Sequence, residues 1–124
     1  MIAADGPYLF EILKTDVASA RAALDAMFAQ MAVGLPEYDG QKDEYHMPGL
    51  EGDSDVAVIE YRARDLLYPD CTIIWLHGGG YVMGSADDLS AQGYSSLAPV
   101  ISVDYRMAPE HRAPAAARDV CAVI

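Results

Sequence analysis

The sequence has few basic residues and no long apolar run. Eight lysines and arginines stand against 19 aspartates and glutamates, which gives a formal net charge of −11 and an isoelectric point near 4.3. A surface of this charge repels phosphate backbones and anionic lipid, so nucleic acid and membrane surfaces are not expected partners. No stretch has the roughly 20 apolar residues that cross a bilayer. Because the amino terminus lacks the basic lead of a signal peptide, we expect a cytoplasmic location.

Cysteine and the common ligand-binding motifs are also scarce. With only Cys71 and Cys121, the chain is not a disulfide scaffold, and we expect both thiols to be reduced. The three histidines, His46, His77 and His111, lie far apart without the spacing of a metal site. The sequence contains neither G-x-x-x-x-G-K-[ST] nor G-x-G-x-x-G. We therefore predict no metal and no cofactor.

The apolar pattern predicts alternating helices and strands. Helical spacing over residues 15–31 predicts an amphipathic helix that Thr15 or Asp16 caps. Alternation over residues 55–64 predicts a half-buried strand. The continuous apolar runs 71–76 and 99–103 are typical of strands covered on both faces. Weaker signals predict a short strand at 44–47, a helix within 85–98, a loop at 105–114 and a helix from 115 to 124.

Strands that alternate with helices predict an α/β fold with a mixed, mostly parallel sheet. We expect residues 1–42 to form a helical, cap-like segment with its loop, and residues 43–124 to form an α/β domain. The last predicted helix has no strand after it, so we expect this domain to be incomplete. A sheet that ends in this way has an open edge, which favours self-association or a second chain.

Three consecutive glycines follow the strand predicted at residues 71–76. Glycine costs backbone entropy, but it allows positive φ and lets a backbone approach a ligand closely. Open α/β sheets bind their ligands at the carboxyl ends of parallel strands. Unobstructed backbone N–H groups in such a loop can donate to an oxyanion. The run Gly78-Gly79-Gly80 is therefore the first candidate site, although a plain tight turn is the alternative.

The glycine run resembles a known family when it is taken with a second motif. His77-Gly78-Gly79-Gly80-Tyr81 and the segment V-D-Y-R-M-A-P-E-H-R-A-P-A-A at 103–116 are similar to the hormone-sensitive-lipase-like branch of the α/β-hydrolases, which are carboxylesterases and lipases. The resemblance covers roughly residues 44–124. It implies that Gly79 and Gly80 form an oxyanion hole for a carboxylic ester, a small-molecule substrate. It also implies that His77 and Gly78 hold the shape of the loop.

The resemblance implies roles for residues around the loop. Tyr81 and Met83 would line the substrate pocket, with core packing as the alternative for both. Arg106 would pair with Glu110 or Asp104. Two prolines, at positions 109 and 114, would fix the turn into the last helix, with cis peptide bonds as one way of doing so.

A nucleophile is not recognisable. The family attacks its ester with a serine in a G-x-S-x-G turn, and the sequence has no such run. Gly52-Asp53-Ser54 begins similarly but precedes the glycine loop, and residues 93–97 lack the closing glycine. We therefore expect the oxyanion part of an esterase without its nucleophile, acid and base, and little activity from the chain alone. The alternatives are a non-catalytic binding or interaction module and a small hydrolase that uses Ser85, Ser95 or Ser96 with His111.

Overall fold

The computed structural model describes Glu11, Lys14 and residues 16–124. In this part of the chain, the helices are α1 (Val17–Ala32), α2 (Leu89–Tyr94) and α3 (Ala115–Val123), and the strands are β1 (Gln41–Met47), β2 (Val56–Arg62), β3 (Ile73–Leu76) and β4 (Val100–Asp104). The predicted cap Thr15 and most of the first 15 residues of the predicted cap-like segment lie outside the described residues. No helix of the described part is long and apolar enough to cross a membrane.

The four strands form one mixed sheet in the order β1-β2-β4-β3. β1 pairs antiparallel with β2, and β2 pairs antiparallel with β4. β3 and β4 are parallel, with Ile73 opposite Val100, and α2 lies in the connection between them. The predicted α/β architecture with a mixed sheet is confirmed, but the expectation that the sheet is mostly parallel is wrong for the described strands, because both neighbours of β2 run antiparallel to it and only β3 and β4 are parallel. β1 begins at Gln41, so it crosses the predicted boundary between residues 42 and 43.

The helices begin where side-chain caps are available. The carboxylate of Asp16 accepts hydrogen bonds from the N–H groups of Ala18 and Ser19, and this confirms Asp16 as the cap of α1. Asp88 caps α2 by accepting from the N–H of Ser90 at 2.7 Å. The α2 helix is shorter than the range 85–98 that the sequence suggested.

Both faces of the sheet carry a core. On one face, a buried cluster joins β2 and β4 to α3: Val56, Val58, Val103, Tyr105 and Val123. On the other face, Tyr61 and Val100 pack against Ala91 of α2. The sheet therefore holds the loop after β3 between helices that pack on opposite faces.

The prediction that β3 is covered on both faces is wrong for the described chain. Its residues are only partly buried, and Leu76 is 47% exposed. The reason is its position at the edge of the sheet, where β4 is its one neighbour among the described strands. In contrast, β4 lies between β2 and β3 and is largely buried, as predicted.

Candidate active site

The glycine loop after β3 folds into a tight turn. The carbonyl of Gly79 accepts hydrogen bonds from the N–H groups of Val82 and Met83, both at 3.2 Å. The two central residues, Gly80 and Tyr81, each have φ of +63°. Positive φ at both central positions is the signature of a primed turn, which glycine adopts without steric cost.

Gly79 has no room for a side chain. Its φ is +124°, and a Cβ at this position would overlap the carbonyl group of Met83. Gly78 differs, because a Cβ there would meet nothing within 4 Å, and its φ is not in the left-handed region. The structure therefore requires glycine for different reasons along the run. At Gly79 the Met83 carbonyl leaves no room for a side chain, at Gly80 the backbone has positive φ, and at Gly78 neither constraint applies.

Tyr81 holds a backbone conformation that is rare for a bulky side chain. Its φ is positive and its side chain is 66% exposed, so burial does not explain the strain. The carbonyl of Tyr81 accepts a hydrogen bond of 2.8 Å from the N–H of Ala108, which anchors the turn to the loop that follows β4. Strained backbone that its surroundings hold in place is concentrated at functional sites.

The turn leaves two N–H donors available. Within residues 16–124, no acceptor bonds the N–H group of Gly79 or that of Gly80. The carbonyl of Gly79 accepts from Val82 and Met83, and that of Tyr81 accepts from Ala108, so the turn that carries these donors is held in place on both sides. A fixed pair of free backbone N–H groups is the geometry that an oxyanion requires.

His77 is buried beneath the start of the loop. Its side chain is 5% exposed, and its ring stacks on the ring of Tyr105 with centroids 4.2 Å apart. Nδ1 lies 2.9 Å from the carbonyl oxygen of Gly78. Because a carbonyl only accepts, Nδ1 carries the proton in this hydrogen bond. Nε2 is buried without a partner among the described residues.

Tyr105 connects β4 to this histidine. Its hydroxyl donates to the carbonyl of His77 at 2.7 Å. Burial raises the pKa of the Tyr105 phenol, so the hydroxyl keeps its proton and remains a donor at neutral pH. Gly84 completes the packing, since a Cβ there would overlap the His77 ring and the carbonyl of Gly78.

The loop separates two cavities. The first has a volume of about 580 Å³ and lies between the loop and α1, with Leu24, Asp25, Phe28, Gly79 and Ser85 in its wall. The second has a volume of about 870 Å³ and lies between the loop and α3, with Gly80, Tyr81, His111, Val120 and Cys121 in its wall. His77 and Gly78 contribute to both cavities.

The structure separates the other predicted site residues. Met83 is 6% exposed and packs beside Gly79, outside the walls of both cavities. Ser85 and His111 lie in different cavities. The hydroxyl of Ser95 is buried and donates to the carbonyl of Gln92 at 2.7 Å. Among the described residues, no serine hydroxyl bonds a histidine ring.

The predicted partners of Arg106 are wrong. Its guanidinium bonds the carboxylate of Asp119 at 2.7 Å and lies 3.1 Å from that of Asp53. The reason is the burial of Asp119, which is 2% exposed and needs a counter-charge where β4 faces α3. The two ion pairs raise the pKa of Arg106, chiefly through the hydrogen bonds that its guanidinium donates to Asp119. Both Pro109 and Pro114 follow cis peptide bonds, as the resemblance allowed.

Glu110 instead pairs with a residue that the sequence did not single out. Arg21 of α1 donates to both carboxylate oxygens of Glu110 at 2.8 Å. These hydrogen bonds and the charge of Arg21 lower the pKa of Glu110 to about 2. The two residues are 89 positions apart, so no local pattern links them. For Asp119 a signal existed, because it is the one carboxylate of the last predicted helix and apolar residues follow it directly.

The chain is similar to esterases of known sequence and structure. The sequence model of a family described as having the alpha/beta hydrolase fold matches residues 73–124. Carboxylesterase NlhH of Mycobacterium tuberculosis is 36% identical over 97 residues, which are 73% of this chain and 28% of that protein. Esterase LipI of the same organism is 44% identical over 54 residues, which are 40% of this chain and 17% of that protein.

Solved structures give the same result. A bacterial heroin esterase superposes with a TM-score of 0.76 at 29% identity, over 94% of this chain and 40% of that chain. An esterase of Pyrobaculum calidifontis superposes with a TM-score of 0.67 at 30% identity, over 91% of this chain and 37% of that chain. The chain thus spans less than a third of the two curated relatives and less than half of these two solved structures.

Proposed function

The chain belongs to the hormone-sensitive-lipase-like branch of the α/β-hydrolase family, and from this premise we propose that its glycine loop is the oxyanion hole of a carboxylic-ester hydrolase. The supporting observation is the free pair of N–H groups at Gly79 and Gly80, held in a turn that their neighbours fix. In acyl transfer, the carbonyl oxygen of the ester becomes negative, and two such donors stabilise that charge. Removal of one donor typically costs about 3–4 kcal/mol of transition-state stabilisation.

The surrounding residues support the loop in this proposal. His77 shapes it through its hydrogen bond to the Gly78 carbonyl, and Tyr81 forms a wall of the larger cavity. Met83 packs against Gly79 and so sets how closely the turn approaches the backbone of residue 83. The larger cavity is walled largely by apolar side chains, which suits a short- or medium-chain ester of a small alcohol, whereas the wall of the first cavity includes Asp25, Asp87 and Asp88.

The same proposal places the nucleophile outside these 124 residues, since they contain no G-x-S-x-G run. Serine hydrolases depend on nucleophile, base and acid as one unit, and the oxyanion hole alone gives only a small residual rate. We therefore expect the chain alone to bind an ester without hydrolysing it. The remaining catalytic groups would come from further sequence or from a second chain.

The test is a titration of the ¹⁵N-labelled chain with ethyl butyrate, followed by amide resonances. We expect the Gly79 and Gly80 amide protons to move downfield, as they do on gaining an acceptor. Gly34 and Gly52 provide matched controls, because both are glycines with positive φ that lie outside the two cavities. Unchanged Gly79 and Gly80 resonances at saturating ester would contradict the proposed oxyanion hole.

Hydrolysis of p-nitrophenyl butyrate by the same preparation tests the proposed inactivity. The expected rate is only the small residual rate of an oxyanion hole without a nucleophile, and it should be the same in the Ser85→Ala, Ser95→Ala and Ser96→Ala chains. A higher rate that Ser85→Ala, Ser95→Ala or Ser96→Ala abolishes would instead establish a small complete hydrolase. Loss of rate in a variant whose far-ultraviolet circular dichroism and urea midpoint are unchanged identifies its hydroxyl as the nucleophile.

An interaction role is the second candidate, and the edge of β3 favours it. Leu76 is 47% exposed on this edge strand, whereas Leu67, which is 64% exposed, lies outside the strand in the turn region before it. An edge with apolar side chains is a template for pairing with another strand. Light scattering across a concentration series measures the association, and Leu76→Lys is expected to reduce it. Leu67→Lys is the control with equal charge away from the strand, and an equal effect of both would exclude the edge as the cause.

A further inference from the structure

One arginine of α1 connects the amino-terminal helix to the backbone on both sides of the candidate site. Nε of Arg21 donates to the carbonyl of Val82 at 2.8 Å, and Nη2 donates to the carbonyl of Ala108 at 3.0 Å. Two further N–H groups, one on Nη1 and one on Nη2, donate to the two carboxylate oxygens of Glu110. The guanidinium therefore donates hydrogen bonds from four of its five N–H groups, and three other residues accept them.

The two carbonyls belong to residues whose own N–H groups hold the glycine turn in place. Val82 closes the glycine turn, because its N–H bonds the carbonyl of Gly79. Ala108 anchors the same turn from the other side, because its N–H bonds the carbonyl of Tyr81. Arg21 thus bonds the backbone carbonyl of each of these two residues, and it fixes the distance between the segments to which they belong.

Glu110 keeps the guanidinium in the required orientation. A carboxylate that accepts two parallel hydrogen bonds fixes the plane of the arginine fork. The side chain of Arg21 is 28% exposed and that of Glu110 is 53% exposed, so the carbonyl contacts lie on the inner side of the pair. Lysine offers one rotatable ammonium group and cannot bridge the same two carbonyls and a carboxylate in one plane.

We propose that Arg21 is a positioning residue for the oxyanion loop: it sets the orientation of the Gly79 and Gly80 N–H groups by clamping Val82 and Ala108 to α1. The inference rests on the proposed function, since it assigns a task to the same loop. It also couples the loop to the first cavity, because Leu24 and Phe28, within two turns of Arg21 on α1, form part of that wall. Displacement of α1 would release the loop and open the cavity together.

The test compares Arg21→Gln with Arg118→Gln in the ¹⁵N-labelled 124-residue chain. Arg118 is a matched control because its guanidinium also bonds one carboxylate, that of Asp53, and one backbone carbonyl, that of Glu51. It contributes to neither cavity wall. Hydrogen exchange is followed at Met83 and Ala108, whose N–H groups bond the carbonyls of Gly79 and Tyr81.

For Arg21→Gln, we expect exchange at Met83 and Ala108 to accelerate about tenfold or more, because loss of charged hydrogen bonds lets the turn open locally. The Gly79 and Gly80 resonances are expected to shift towards those of an unstructured chain. Arg118→Gln should leave both observations as in the unaltered chain, even if it lowers overall stability equally. Unchanged exchange and resonances in Arg21→Gln would overturn the proposal.

Arg21→Lys separates the clamp from its charge and covers the case in which Arg21→Gln does not fold. The lysine keeps the positive charge opposite Glu110 but not the two carbonyl bonds, so loop exchange should still accelerate. Full restoration by lysine would show that charge alone suffices and would overturn the clamp. The ester titration of the unaltered chain and of the variants distinguishes failure of the proposed oxyanion hole from failure of the proposed role of Arg21. Absent shifts in the unaltered chain count against the oxyanion hole, whereas equal shifts in the unaltered chain and in Arg21→Gln count against Arg21.

Discussion

The hydroxyl of Tyr105 donates to the carbonyl of His77 at 2.7 Å, and the two rings stack almost parallel, 9° apart. Tyr105 is the first residue after β4, and His77 is the first residue after β3, so this contact joins the carboxyl ends of two parallel neighbours. Both side chains are buried. The glycine loop therefore starts from a point that the sheet itself fixes.

Tyr105→Phe tests this hydrogen bond. The substitution keeps the stacked ring but leaves the His77 carbonyl without its buried donor, which typically costs about 1–3 kcal/mol. Urea unfolding followed by the fluorescence of Trp75, the single tryptophan, measures the loss. Tyr68→Phe is the control, since Tyr68 is 56% exposed and its hydroxyl bonds no described residue. Equal stability of the Tyr105→Phe and Tyr68→Phe chains would show that the hydrogen bond contributes nothing.

Asp119→Ala is expected to be more damaging. The Asp119 carboxylate accepts from the backbone N–H of Arg106 at 2.8 Å as well as from its guanidinium. Removal of Asp119 leaves Asp53 as the one described carboxylate beside the Arg106 charge, and it strands the Arg106 backbone N–H and guanidinium donors, at a typical cost of about 1–3 kcal/mol for each buried group left without a partner. Asp55→Ala, at an exposed position, is the control. If the loss in free energy of unfolding comes from the Arg106 charge that Asp119 no longer faces, the double variant Asp119→Leu with Arg106→Met should recover part of it. No recovery in the double variant would show that the charge is not the cause.

The pairing of Glu110 with Arg21 predicts a dependence of stability on pH. The pKa of Glu110 is lowered from an ordinary 4.5 to about 2 in the folded chain. The unfolded chain therefore binds this proton more readily, so the contribution of Glu110 to the free energy of unfolding is present above pH 4.5 and is lost as the pH falls towards 2. In urea unfolding at several pH values, Glu110→Gln should show a shallower decline over this window than the unaltered chain.

Glu37→Gln controls for the change of net charge, because Glu37 is exposed and forms no ion pair with another described residue. Its pH profile should run parallel to that of the unaltered chain. A Glu110→Gln profile that is also parallel would mean that the Arg21 pair does not contribute to folding in solution.

The sequence was sufficient for those features that depend on local patterns. Alternation located β2, a continuous apolar run located β4, and the pair Thr15 and Asp16 marked the start of α1, where the structure identifies Asp16 as the cap. The glycine run and the segment after β4 gave the family, because each is a contiguous motif. These signals are local because the order of apolar and polar residues along one segment indicates its backbone conformation and which of its side chains are buried.

The sequence was insufficient where partners are distant in the chain. Arg106 sits two residues from Asp104 and four from Glu110, yet it pairs with Asp119 and Asp53, because the packing of α3 on the sheet determines what it faces. Similarly, a strand's burial depends on its place in the sheet, so the apolar run at β3 did not reveal that it lies at an edge. Such features follow from topology and not from spacing.

Gly79→Ala and Gly78→Ala form the sharpest comparison in the loop, because neighbouring glycines receive the same methyl group. At Gly79 the methyl group would overlap the Met83 carbonyl, and φ of +124° is strained for alanine, so we expect a loss of about 1–3 kcal/mol or more and displacement of the turn. At Gly78 there is open space and no positive φ, so alanine should be neutral or stabilise the chain by about 0.4–1 kcal/mol. Urea unfolding gives the stabilities, and the ester titration shows whether the Gly80 resonance still responds. Because both variants have the same composition, only the geometry of the turn can separate them, and equal behaviour would refute that geometry.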